Sequence, residues 1–189
     1  FRMTSEGMLE LSDLSGSLIE NSTAEEGSVI SATYEGSRPV FFEIQALAAQ
    51  ANVGFARRTA IGINSNRLSM ILAVLEKKAG LALINYDVYV NVVGGMKSES
   101  TSTDLAVALA IYSSFRNKTS SRRIIAVGEV GLTGNLRSVP NADRIIQEAV
   151  RLGYEGIILP KKNAETAKAS GIRIYGADNL TDAIKFFTS

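Results

Sequence analysis

The chain has 189 residues, 46% of them hydrophobic and 21% charged, with a formal net charge of +1. This is an ordinary globular balance, long enough for one full core or two small ones. There is no Cys and no His, which excludes a thiolate or imidazole metal site, a disulfide and a serine triad with an imidazole base; any chemistry must use hydroxyls, carboxylates, Lys, Arg or Tyr.

No apolar run approaches the roughly 18 residues of a membrane span, and no charged-then-apolar leader precedes a small-residue cleavage site, so an aqueous compartment and no membrane partner are expected. Lack of Cys is compatible with a reducing compartment. Charge is uneven: residues 1–50 hold two basic side chains against eight acidic, the remainder eighteen against eleven. On charge alone this reads as a solvated mixed surface rather than a nucleic-acid footprint. The chain opens on Phe1 inside a strand-like stretch, which points to a piece of a larger protein.

In chain order, the first third reads as β structure. Residues 1–3 and 8–11 flank the spacer Ser5-Glu6-Gly7, and residues 28–34 and 39–47 flank Glu35-Gly36-Ser37-Arg38, giving two hairpins. The Ser, Gly and Glu-rich piece over 12–27 reads as a loop with one helical turn around Leu18. Apolar and polar residues alternate over 55–61, so in a strand Arg57 shares a face with Phe55 and Ile61, and Arg58 with Ala56 and Ala60. A helix is predicted over 66–79 from the stripe Leu68, Ile71, Leu72, Leu75 and Ala79, with Asn64 or Ser65 as cap and Gly80 as terminator. Lys77 and Lys78 suit its last turn. Arg67 does not suit its first, where a cation meets the positive end of the dipole at a cost of roughly a few tenths of a kcal/mol.

An alternating strand over 87–93 leads into Gly94-Gly95-Met96-Lys97-Ser98-Glu99-Ser100-Thr101-Ser102-Thr103-Asp104 and a helix over 103–115. Leu105, Ala108, Leu109 and Tyr112 share a face of that helix, and Ala106, Ala108 and Ala110 admit another element closely. The rest of the chain is arranged around this strand, polar loop and helix start, whose unpaired backbone donors can hold an anion, an oxyanion or a serine nucleophile. A strand over 122–130, a turn at 131–134 and a return through Leu136 and Val139 follow. A capped amphipathic helix over 141–152, presenting Ile145, Ile146, Ala149 and Val150, ends at Gly153. The tail alternates strand 156–160, helix 163–170, strand 172–175 and helix 179–187. With no long linker or low-complexity tract, residues 1–189 read as one α+β domain, hairpins first and alternating helices and strands later.

Three segments carry a resemblance. Gly128-Glu129-Val130-Gly131-Leu132-Thr133-Gly134-Asn135-Leu136-Arg137, with the helix after it and then Gly156-Ile157-Ile158-Leu159-Pro160-Lys161, resembles the C-terminal half of the Lon proteolytic domain. Arg58-Thr59, Gly62, Asn66-Arg67-Leu68, Ala73-Val74-Leu75-Glu76-Lys77-Lys78-Ala79-Gly80, and Gly94-Gly95 with Asp104-Leu105-Ala106-Val107-Ala108 bring it closer to the Lon-like C-terminal domain of RadA (Sms)-type bacterial DNA-repair proteins. The similarity covers essentially the whole chain. It implies a Lon-like fold, shared broadly with GHMP small-molecule kinases, lying behind a zinc finger and an ATPase core. It also implies copies packed in a hexameric ring, contact with single-stranded or branched DNA and with a recombinase, branch migration in homologous recombination, and a stress-response role in a bacterial cytoplasm or an organelle matrix. ATP, magnesium and zinc would belong to the upstream domains, with no cofactor here: this sequence has neither a Cys-rich finger nor a Gly-rich phosphate loop ending in Lys-Ser/Thr.

Lon proteases use a Ser-Lys dyad, and the resemblance places the serine at Ser102 and the lysine at or beside Asp143 and Arg144. A dyad lysine must be desolvated so that its pKa falls from about 10.4 toward 7 or 8. Arg does not release its proton in that range, and Asp, with a pKa of about 3.9, is too weak a base. Lys97 is the substitute to weigh, but its Gly, Ser and Glu neighbours describe a wet site. Ser, Thr and Asp at a helix start are also ordinary caps. The expectation is a pseudo-protease with a vestigial nucleophile position at Ser102 and no metal.

The candidates for DNA contact are Arg58, which shares a strand face only with small residues, Arg67 at its unfavourable helix start, and Lys97 on the Gly-containing loop. A salt bridge or a solvated surface is the alternative for each. Lys77, Lys78, Arg122 and Arg123 read as dipole partners or surface charge. Three other readings stay open: an active Ser-Lys peptidase working through Lys97, a nucleotide-binding module whose 94–104 loop holds phosphates, and a purely structural ring-forming module.

Overall fold

The computed structural model describes residues 2–4, 7–9, 25–51, 55–168 and 171–189. The strands are β1 (Arg2–Thr4), β2 (Gly7–Leu9), β3 (Ser28–Glu35), β4 (Arg38–Gln50), β5 (Arg58–Ile61), β6 (Tyr86–Val92), β7 (Ile124–Ala126), β8 (Glu129–Val130), β9 (Leu136–Arg137), β10 (Gly156–Pro160) and β11 (Arg173–Ala177). The helices are α1 (Ser65–Ala79), α2 (Asp104–Arg116), α3 (Ala142–Arg151), α4 (Lys161–Thr166) and α5 (Leu180–Phe187). Both expected hairpins form: Met3 lies opposite Met8, and Glu35 opposite Arg38. The helical turn expected around Leu18 lies outside the described residues.

Seven strands make one mixed sheet in the order β11-β10-β7-β3-β4-β6-β5. Only β3 with β4 and β4 with β6 run antiparallel; the other four pairings are parallel. The second hairpin is therefore not a separate β module but the centre of the sheet that the later alternating elements complete. Its adjacent apolar residues show why, since a strand covered on both faces needs apolar side chains at every position. Val29, Phe42, Ile44, Ala126 and Ile158 pack under α1, α2 and α5, while Ile30, Ala32, Phe41, Ile125 and Ile157 pack against α3. On the α3 side Tyr154 stacks on Phe41 with the Arg123 guanidinium over its ring, and burial pushes its hydroxyl up to about 12. That phenol is a neutral core group.

α2 is buried along nearly its whole length, and Ala106, Ala108 and Ala110 are fully covered, so their small side chains let it lie between the sheet and its neighbouring helices. α1 starts and stops where expected: the Asn64 side chain accepts from Asn66 N and Arg67 N at 2.9 and 3.2 Å, and Gly80 takes φ +66. Asn64→Ala is expected to cost about 1 kcal/mol, read as a lower urea midpoint with an unchanged m-value.

Four local expectations are corrected. The strand over 122–130 breaks after Ala126: Val127 N still donates to Ile158 O of β10 at 3.1 Å, but Gly128 N turns away to Ser102 O at 2.7 Å, and Gly128 O accepts from Leu105 N. The chain thus leaves the sheet to brace the start of α2. Asn141 does not cap α3 through its side chain; it has φ +53, and its carbonyl instead accepts from the Tyr34 hydroxyl at 2.7 Å. The helix placed over 163–170 begins at Lys161, immediately after Pro160 at φ −55, and ends at Thr166. The alternation over 55–61 yields a strand only from Arg58.

Candidate functional site

The loop between β6 and α2 is built by backbone geometry at both ends. Gly94 turns it at φ +84, Ser98 N donates to Gly62 O at 2.7 Å, and the Ser100 hydroxyl accepts from Ser102 N at 3.2 Å to start the tight turn Thr101–Thr103 ahead of α2. Ser100, rather than the three residues after it, is the cap. Between this loop and the first half of α1 opens a cleft of about 700 Å³, with Ile63, Met70, Ile71 and Val107 among its apolar lining and Arg67, Lys97, Glu99 and Asp104 among its charged lining.

Ser102 is 7% exposed, and its hydroxyl meets the Ser100 hydroxyl at 2.8 Å and donates to Ala32 O at 3.4 Å. Neither partner is an amine or a carboxylate. Asp143 and Arg144 stand exposed in the first turn of α3, where Arg144 Nη1 donates to Ser37 O at 3.3 Å. Lys97 is exposed and has no hydrogen bond or ion pair among the described residues.

Arg67 and Asp104 form the central contact. Arg67 Nε donates to Asp104 Oδ1 at 2.9 Å, its Nη2 to Asp104 Oδ2, and the same Nη2 to Val130 O at 3.2 Å. Asp104 Oδ2 also accepts from Val130 N at 3.1 Å. One ion pair therefore joins α1, α2 and the β8–β9 hairpin, while Thr101 adds a bond from its hydroxyl to Glu129 at 2.8 Å. The hydrogen bonds that Arg67 donates to Asp104 steady the guanidinium and raise its pKa. At the other end, burial pushes the Asp104 carboxyl above its usual range, and Arg67 and the Val130 N–H only partly pull it back. For a carboxylate this deeply buried, desolvation outweighs pairing.

The three DNA candidates are not brought together. Arg67 and Lys97 line the same cleft, but only Nη1 of Arg67, which meets the Met70 sulfur at 3.7 Å, is left over from the Asp104 contact. Arg58 is half-buried at the edge of the sheet, where its guanidinium donates to Arg57 O, Leu83 O and Tyr86 O and so fastens the turn before β6. Sequence reasoning missed Asp104 as the partner of Arg67. The signal was there: a cation in the first turn of a helix needs an anion to justify its place.

The chain belongs to the family described as "Subunit ChlI of Mg-chelatase", whose profile matches residues 44–163, a stretch that takes in most of the sheet, the cleft and the β8–β9 hairpin. Its individual relatives are DNA-repair proteins: it is 40% identical to "DNA repair protein RadA" of Bacillus subtilis over 187 residues, 98% of this chain and 41% of that protein. The RadA of Escherichia coli is 39% identical over 188 residues (99% and 41%), and that of Halalkalibacterium halodurans 39% over 187 (98% and 41%). Homology to RadA thus runs the whole length of this chain, which spans about two fifths of the length of these relatives. Among the described residues no three Asp or Glu side chains converge in a group that could hold a metal ion.

Proposed function

We propose that this chain is a non-proteolytic, DNA-engaging module of a RadA-type repair protein, Lon-like in fold, which packs with copies of itself in a ring behind an ATPase core and serves branch migration in recombination. The observation that carries the non-proteolytic part is the pairing of the Ser102 hydroxyl with another hydroxyl and a main-chain carbonyl. A serine nucleophile needs a base that takes its proton near neutral pH, and neither partner has the pKa to do so. The homology to RadA supports the DNA part, and the unpaired Lys97 ammonium is the group best placed to meet a phosphate. Arg67, with most of its donors committed to a carboxylate and a carbonyl, acts in this reading as a support for the wall of that cleft, and Arg58, committed to three carbonyls, as a fastener of the turn before β6.

Two measurements test it. Incubation with unfolded casein should release no peptides; release that disappears in Ser102→Ala would sink the non-proteolytic reading. Binding to a labelled single strand should weaken in Lys97→Ala, and the slope of log K against log salt should shrink by about 0.7. Unchanged affinity and slope would remove Lys97 from the interface.

A further inference from the structure

Concave surfaces of this chain differ in charge, and charge is what a phosphate backbone responds to first. In the cleft beside α2, Arg67 and Lys97 are matched by Asp104 and Glu99. The hollow over β4, β6 and β5 carries Glu25 and Glu26 and no cation. The recess at Arg122 and Arg123 is about 40 Å³, and its guanidiniums are engaged with the Tyr175 hydroxyl and the Tyr154 ring. A groove of about 380 Å³ at the end of α1 is different: Lys78 and Lys185 line it with Thr133, Asn135 and Thr181, against the single carboxylate of Asp182.

Three separate elements hold this groove in shape. The tip of the β8–β9 hairpin is tied to the start of α5, since Leu180 N donates to Gly134 O at 2.9 Å and Asn135 bridges to Asn179. The stem of Lys78, from the last turn of α1, lies against Gly134 so closely that a Cβ there would come within 3.0 Å of Lys78 Cγ. Its carbonyl accepts from the Thr181 hydroxyl at 3.5 Å. Asp182 is occupied, accepting from Asn179 Nδ2 at 2.9 Å with Lys185 Nζ 3.5 Å away. Lys78 has no carboxylate partner among the described residues. Its place in the last turn of α1 suits the helix dipole, as the sequence implied, and it also lines the groove together with a second lysine more than a hundred residues on. Two lysines against one carboxylate leave one positive charge in excess, and lysines with hydroxyl and amide donors beside them are the side-chain types that meet nucleic-acid phosphates.

We propose that this groove binds a phosphate of a nucleic-acid backbone through Lys78 and Lys185, as a contact separate from Lys97. The inference rests on the DNA-engaging reading above and adds a second point at which the strand is held. A single phosphate shared by two lysines needs no base contact, so the site does not discriminate sequence.

The test is fluorescence anisotropy of the full chain with a labelled oligothymidylate between about 50 and 200 mM salt. Lys78→Ala/Lys185→Ala should lower affinity about tenfold at the low-salt end and shrink the log–log salt slope by about 0.7, with the melting temperature unchanged because both side chains are exposed. Lys168→Ala, an exposed lysine outside the groove, should leave affinity and slope as they are. An equal loss in Lys168→Ala would mean diffuse surface charge and overturn the groove. Loss in Lys97→Ala with none in the double variant would overturn the groove and leave the DNA reading standing, whereas no binding by the unmodified chain at any salt would overturn both.

Discussion

Arg67→Ala is expected to cost about 3 kcal/mol, a fall in melting temperature of about 6 to 12 °C. The substitution leaves the Asp104 carboxylate, 3% exposed as a side chain, with the Val130 N–H as its only remaining partner among the described residues, and an uncompensated buried charge is among the most costly single changes a fold can suffer. Because Arg67 is itself a quarter exposed, the low end of the usual range applies. Asp104→Asn, which removes the charge but keeps an acceptor for Val130 N, should cost less, and Arg67→Ala/Asp104→Ala should cost less than the sum of the two single alanine variants. Urea unfolding of the set measures all of these; a strictly additive double variant would show that the two side chains are not coupled.

The same pair has a pH signature whose sign follows from burial. Asp104 is held above its ordinary value of 3.8, so as pH rises past that value the unfolded chain loses this proton first and the native state binds more protons. Stability contributed by Asp104 therefore falls as pH rises through the window between the two values and levels off above the native one. The stability of the unmodified protein minus that of Asp104→Asn should decline across that window when urea unfolding is repeated at successive pH values. A rise would mean that pairing with Arg67 outweighs burial.

Gly62→Ala is the second large effect, at about 3 kcal/mol from two additive sources. Gly62 sits at φ +85, where a Cβ is strained, and that Cβ would lie 2.6 Å from Met96 O and 2.7 Å from Val92 Cβ. Gly62 O also receives Ser98 N, so any shift that relieves the clash moves the loop that carries Lys97. Faster exchange of the Ser98 amide hydrogen, alongside the lower urea midpoint, would report that displacement, and an unchanged rate would mean that the strain is absorbed in β6 instead.

Much of the architecture was legible because it is locally encoded. The ends of α1 fall within a residue of expectation, since the Asn64 cap and the Gly80 terminator act within one turn. The hairpins follow from short turn sequences between apolar runs. The likeness to RadA was legible too, being spread over many short matches. Illegible were the joins: β3 meets β7 across a gap in which Ser31 reaches Ala126 O, 95 residues away. The strand over 122–130 breaks because Gly128 is needed at the start of α2, a demand that comes from another part of the chain.

The sequence by itself determined that thiol and imidazole chemistry is absent, where α1 begins and ends, and which residues of its helices face a core. Only the tertiary structure decided that Ser102 faces a hydroxyl and a carbonyl, that the misplaced charge of Arg67 is answered by Asp104 37 residues on, that Arg58 fastens a turn, and that Lys78 and Lys185 share one groove. The physical reason is range: capping and periodicity act between residues a few positions apart, whereas the neighbours of a charge are chosen by how helices and strands pack, which no local pattern records.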